Sequence, residues 1–269
     1  MLDLDWQART IAVCSPTGLS DRFRLLLPAL YAATERNLSV VCLWPLNNEV
    51  GFLPLDRLFQ IRKRHGATSL TMVYTGLPNR TCNYGNTAFD VLERSNVSPP
   101  AERTFSLGLG ATLRQWFKPQ PRLSSEISRQ LGALSPVANR SAVHVRGREH
   151  PRWRESAPMV NESLLLALQS FGREPLLLAP GRVSQDLRSY VRVAINTSSR
   201  TTREHYRGDY RSDVINGEWH ALETFVVEMF VAAFAAELRG SINSGVPQMI
   251  RTVAASLGRT LPFSTLACK

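Results

Sequence analysis

Two hydrophobic periodicities alternate along this chain: short apolar runs bounded by turn residues, and longer stretches with apolar positions three and four apart. Thr10-Ile11-Ala12-Val13-Cys14 is a short run that breaks at Ser15-Pro16-Thr17-Gly18, which reads as a buried strand entering a loop. Ser20 and Asp21 are good helix caps, and Phe23, Leu26, Leu27, Leu30 and Tyr31 then follow at helical spacing as far as Arg36. Asn37 closes that helix, and Leu38 to Trp44 is a second strand ended by Pro45. Pro54 to Arg64 reads as a helix, with Leu55, Leu58, Phe59 and Arg62 marking its faces, and Ser69 to Tyr74 as a third strand.

The pattern weakens from Thr75 to Arg103, a stretch read as loop with short strands. Helical spacing returns over Leu107 to Phe117 and Ser124 to Leu134, separated by Lys118-Pro119-Gln120-Pro121. A second strand–helix series then begins. Ser141 to Arg146, Pro175 to Ala179, Val191 to Ile195 and Glu237 to Gly240 read as strands; Val160 to Phe171, Val183 to Tyr190, Ala221 to Ala236 and Val246 to Leu257 read as helices. The polar, Arg-rich Thr197 to Asp213 reads as a surface loop. Two such series joined by a Pro-containing linker between Lys118 and Arg140 predict an α/β protein of two parallel-sheet domains, residues 1–125 and 126–269.

Composition changes this picture in one respect. With 43% hydrophobic and 20% charged residues in 269, the chain can bury a core and is not expected to be disordered. Its formal charge is +10, carried almost entirely by arginine, because lysine occurs only at 63, 118 and 269. Arginine's planar fork suits phosphate and carboxylate, although a biased genome produces the same skew. The charge is shared between the halves, 15 Lys/Arg against 10 Asp/Glu up to Asn139 and 17 against 12 after it, so there is no basic tail. Basic and aromatic residues do not interleave as on single-strand nucleic-acid platforms, and nucleic acid is not the expected partner. Cys14, Cys42, Cys82 and Cys268 lack zinc-type spacing; Cys14 and Cys42, each in an apolar run, read as small buried hydrophobes rather than a disulfide pair. The acidic N-terminus is unlike a signal peptide, and no run reaches about 18 apolar residues. The expectation is a cytoplasmic or peripheral-membrane protein, compatible with a removed anchor.

In doubly wound sheets, ligands gather where the carboxyl ends of strands meet helix N-termini. Three segments fall there. Gly18 to Arg24 follows the first strand, with a glycine for a tight turn and Arg22 at the helix start. His144-Val145-Arg146-Gly147-Arg148-Glu149 ends the first strand of the second half, and His144 and Arg146 share one strand face. Ser241-Ile242-Asn243-Ser244-Gly245 leaves a strand and opens a helix, where small residues let N–H groups approach a phosphate. Each has a plainer reading: a surface arginine, an ion pair of the His/Arg strand end with Glu149 or Glu228, and an ordinary Ser/Asn cap.

At these residues the sequence resembles the fucosyltransferase group of nodulation α-1,6-fucosyltransferases and protein O-fucosyltransferases. Gly18 to Arg24 resembles the family's G-x-G-N-R-x-R loop, Leu38 to Pro45 the strand that follows, and Leu55 to Phe59 its acidic-Leu-Phe segment. His144-Val145-Arg146 matches the H-x-R motif, Ser241 to Ser244 resembles the Ser-rich loop, and Glu228 falls where an aspartate is usual. The resemblance implies a GT-B fold and a GDP-sugar donor. It also implies a glycan or other hydroxyl acceptor and no required metal or other cofactor. It implies that Arg146 grips the diphosphate with Ser241, Asn243 and Ser244 assisting. His144 and Glu228 would contact the nucleoside, and Gly18 and Arg22 would line the cleft from the first half. Glu149 is the nearest carboxylate for a base. Gly147 replaces a second arginine, Ser20 and Asp21 replace Gly and Asn, and Leu178-Ala179-Pro180-Gly181 replaces an acidic strand end.

Overall fold

The computed structural model describes residues 2–5, 9–15, 18–46, 53–76, 102–144, 175–178, 221–240 and 244–265. The first half is built on β1 (Leu2–Asp5), β2 (Thr10–Cys14), β3 (Ser39–Pro45), β5 (Arg64–His65) and β6 (Thr68–Thr75), in the order β1-β2-β3-β6-β5. β2, β3 and β6 are mutually parallel; β1 and β5 are antiparallel edges. Helix α1 (Leu19–Arg36) connects the parallel strands β2 and β3 and buries Phe23, Leu26, Leu27 and Leu30. It ends at Asn37, which adopts the left-handed conformation (φ 53°) that Asn tolerates better than most residues.

The second half is a parallel four-stranded sheet, β11-β10-β8-β9, formed by β8 (Ser141–His144), β9 (Leu176–Leu178), β10 (Glu237–Gly240) and β11 (Phe263–Thr265). Leu176, Leu177 and Leu178 are all buried, so both faces of this parallel strand are covered. Helices α4 (Ala221–Ala232) and α5 (Gly245–Ser256) belong to this half.

Between them, α2 (Glu102–Trp116) runs into β7 (Phe117–Pro119), which pairs antiparallel with β4 (Phe59–Ile61) of the first half. Phe23, Phe59 and Phe117 stack edge-to-face there, with ring centroids 5.3–6.1 Å apart. Past Gln120, α3 (Pro121–Ala133) packs instead on α4. The halves are joined through α1, α2 and α5. A Cβ on Gly110 of α2 would lie 2.5 Å from Ala255 Cβ and 2.7 Å from the Ser256 nitrogen of α5, so only glycine permits that crossing.

The structure departs from the sequence reading in several places. Pro54 to Arg64 is not a helix: one 3-10 turn, Leu55–Arg57, leads into β4. The local pattern suits either form, and the ladder to residues 117–119 decides it. α1 begins at Leu19, capped by Gly18 without a side-chain hydrogen bond, so neither Ser20 nor Asp21 is the cap. α2 starts five residues before Leu107, and α3 starts at Pro121, a favourable first helical position. α4 ends at Ala232, because residues 233–236 turn to bring the Ala236 N–H onto the Arg140 carbonyl at 2.8 Å. Cys14 is disulfide-bonded, to a cysteine outside the described residues, whereas Cys42 is a free, buried thiol. The expected elements at 160–171, 183–190 and 191–195, the loop 197–213 and most of 75–103 lie outside the described residues.

Candidate functional site

The carboxyl ends of the two sheets lead to the same place. β2 passes through Ser15 and Gly18 into α1, and β10 passes through Ser244 into α5. A Cβ on Gly245 would meet Asp21 Oδ1 at 2.9 Å, and Arg24 Cδ and Ser20 Cβ at 3.4 Å, so the first turns of α1 and α5 abut. Two helix N-termini therefore bring their positive dipole ends to one location. Ser244 caps α5, its hydroxyl accepting from the Val246 N–H at 3.4 Å. His144 is the Cα partner of Gly240, the residue at the end of β10 from which the Ser241–Ser244 loop departs. His144 is 8% exposed.

Among the sequence-predicted residues, Gly18 caps α1, His144 ends β8 and Ser244 caps α5. Arg146, Glu149, Ser241 and Asn243 lie outside the described residues. Gly18 has φ −64° and nothing within 4 Å of an added Cβ, so it faces open space and its backbone does not require glycine.

Arg22 differs from expectation. It does not line an open cleft; it is 3% exposed, donates from Nη1 to the Pro45 carbonyl at 2.8 Å, and lies over the Trp44 ring at 4.5 Å. This contact ties the start of α1 to the end of β3. The cation that does reach the surface is Arg24, which pairs with Asp21 at 3.4 Å. Helical phase carries this signal: the outer positions of α1 run through Asp21, Arg24, Tyr31 and Glu35, and Arg22 falls off that stripe.

Glu228 lies within α4, 4% exposed, and its Oε1 has no hydrogen-bond partner. The anticipated ion pair with a strand-end cation is absent among the described residues. Burial alone pushes its carboxyl up from 4.5 to about 8, so it is mostly protonated at neutral pH and can donate a hydrogen bond. Burial likewise pushes the Cys42 thiol up to about 12, against a smaller opposing effect of Arg22. Among the described residues no group of three or more His, Cys, Asp or Glu side chains is placed to hold a metal. No helix among them is long and apolar enough to cross a membrane.

Two Rossmann-like units with facing strand ends define the GT-B fold, and comparison with solved structures agrees. The nodulation α-1,6-fucosyltransferase NodZ, in crystals soaked with GDP-fucose, superposes with a TM-score of 0.56 at 13% identity, covering 91% of this chain and 92% of that one. NodZ from Bradyrhizobium gives 0.55 at 11% identity, covering 90% and 92%. POFUT1 in complex with GDP-fucose gives 0.55 at 10% identity, covering 96% and 98%. The chain therefore shares the architecture of these fucosyltransferases over nearly its whole length. No sequence-family profile matches the chain, and no curated protein sequence matches it significantly.

Proposed function

We propose that this chain is a metal-independent, inverting glycosyltransferase that moves fucose or a related sugar from a GDP-sugar to a hydroxyl of a glycan or other acceptor. The observation that carries the reading is the abutment of the α1 and α5 N-termini at Gly245, beside the strand end that leads from His144 to Arg146. A diphosphate placed there faces two helix N-termini, and Arg146, two residues beyond His144 in the chain, is the forked guanidinium assigned to it in this reading. The GT-B fold shared with NodZ and POFUT1, both solved with GDP-fucose, supports the same choice of donor.

In this reading Arg146 binds the diphosphate, aided by Ser241, Asn243 and Ser244, with Gly18 leaving room on the opposite side. His144 and protonated Glu228 address the nucleoside. Arg22 holds the α1 terminus in position and does not touch ligand. The acceptor oxygen attacks the anomeric carbon from the face opposite the leaving group. Its proton passes to a carboxylate, for which Glu149 is the candidate, as the bond to the β-phosphate oxygen breaks. The departing GDP gains negative charge, which Arg146 and the fixed N–H groups stabilise more than they stabilise the bound donor.

Arg146→Ala tests this. Removing one such donor typically costs about 10²–10³ in rate, so donor hydrolysis should fall to that extent and GDP affinity at least tenfold. Unchanged GDP binding and turnover in the variant rule the assignment out. Gly147, standing where relatives carry a second arginine, favours an alternative in which the site binds nucleotide or glycan without transfer; sugar transfer at ordinary enzyme rates eliminates it. The disulfide at Cys14 favours maturation in an oxidising compartment over the cytoplasm.

A further inference from the structure

A cavity lies away from the abutting helix starts, between α2, the carboxyl-terminal half of α5 and the segment leading into β11. Its volume is about 780 Å³, within the range of roughly 300–1,000 Å³ typical of small-molecule sites. Along α5, at 1.5 Å per residue, Ala255 on its wall is about 16 Å from Ser244, so the cavity is separate from the proposed donor site.

Its lining is unusual in charge. Arg251 and Arg259 both face it, and among the described residues its wall carries no carboxylate. Arg251 lies over the Phe263 ring at 5.7 Å, and among the described residues its guanidinium has no hydrogen-bond acceptor. Arg259 spends one donor on the Phe234 carbonyl at 3.1 Å and rests on the Phe234 ring. Two full positive charges outweigh the roughly half negative charge of the α5 carboxyl end. Beside them are the hydroxyls of Ser106 and Thr260 and two apolar surfaces, Leu107 at 49% and Phe263 at 37% exposure. An anionic ring with one hydrophobic face satisfies guanidinium, hydroxyl and apolar wall together. A bare ion leaves most of the volume unfilled, and a purely apolar occupant leaves the Arg251 guanidinium unanswered.

We propose that this cavity is a binding site for an anionic sugar, carrying a sulfate or carboxylate that Arg251 engages and Arg259 supports. The assignment does not depend on the identity of the donor.

Calorimetric titration of the full chain at low salt should show binding of a monosulfated disaccharide or a uronic-acid disaccharide, and none of the neutral parent. Whichever anionic probe binds names the group, and affinity should fall as salt rises. Arg251→Gln, whose only lost contact is with a ring, should weaken binding about tenfold, Arg251→Lys less, with thermal stability and GDP affinity unchanged. The proposal is overturned if neither anionic probe binds, if the neutral parent binds equally, or if Arg251→Gln leaves affinity intact. Loss of GDP affinity in a stably folded Arg251→Gln would instead make the cavity part of the donor site. Concentration-dependent self-association abolished by Arg251→Glu would make it an interface between copies. Either result also overturns the proposal.

Discussion

Arg22 in the first half and Glu228 in the second are both charged residues buried to within a few percent, yet their surroundings differ. Arg22 has a carbonyl at 2.8 Å and an aromatic face at 4.5 Å, so its charge is accommodated within the fold. Glu228 has an oxygen with no hydrogen-bond partner and a carboxyl driven toward its neutral form. A buried charge that is answered locally holds elements together. A buried polar group left unanswered costs free energy in the empty protein, and such groups concentrate where a ligand completes them. Residue type alone gave these two side chains the same standing; their partners separate them.

The largest test of this contrast is Glu228→Gln. The unfolded chain ionises this carboxyl near 4.5 and the folded protein near 8, so the folded form holds a proton the unfolded form has lost. Stability is fully present below about pH 4.5 and is lost as pH rises toward 8, by about 1.4 kcal/mol per pH unit. Glutamine carries no such dependence, and the variant should exceed the wild type at pH 8 by on the order of 4 kcal/mol. Urea midpoints from pH 4.5 to 8 check this; parallel profiles for the two proteins would mean that Glu228 is ionised and paired, erasing the contrast.

Gly110→Ala should cost about 3 kcal/mol, because the added carbon meets the backbone of α5 rather than a flexible tip. Since α2 and α5 carry the contact between halves, both should unfold in one transition at a lower temperature. A variant as stable as wild type would show that the helices separate freely.

Arg22→Met should cost about 2 kcal/mol by stranding the Pro45 carbonyl and losing the contact with Trp44. GDP affinity should change little beyond that loss of folded protein. A steep fall in GDP affinity with unaltered stability would return Arg22 to the ligand. The smallest effect concerns Cys42, whose thiol burial pushes up to about 12. It should resist alkylation at pH 8 in the native protein and react on unfolding, which mass spectrometry reads directly; rapid native labelling would show that the core beneath β3 opens.

Much of the architecture was legible because periodicity reports which face of an element is buried. The apolar runs at 10–14, 39–45 and 68–75 and the spacing through α1 needed no partner to be recognised. Pro54 to Arg64 misled because Leu55, Leu58 and Phe59 fit one helical turn as well as a strand, and the deciding hydrogen bonds come from residues 117–119. Arg22 misled because a motif names a residue without saying which side of its helix faces inward. Cys14 misled because an apolar run conceals whether a distant cysteine approaches it.

From the order of its residues, then, the chain dictated two α/β units and where their strands end, since hydrophobic period and turn residues act over a few positions. Only tertiary structure decided that Gly245 would press against Asp21, that Arg22 would turn to Trp44, and that Glu228 would be left neutral in the interior. Those outcomes depend on groups more than twenty residues apart or on the solvent that packing excludes, and no local pattern encodes either.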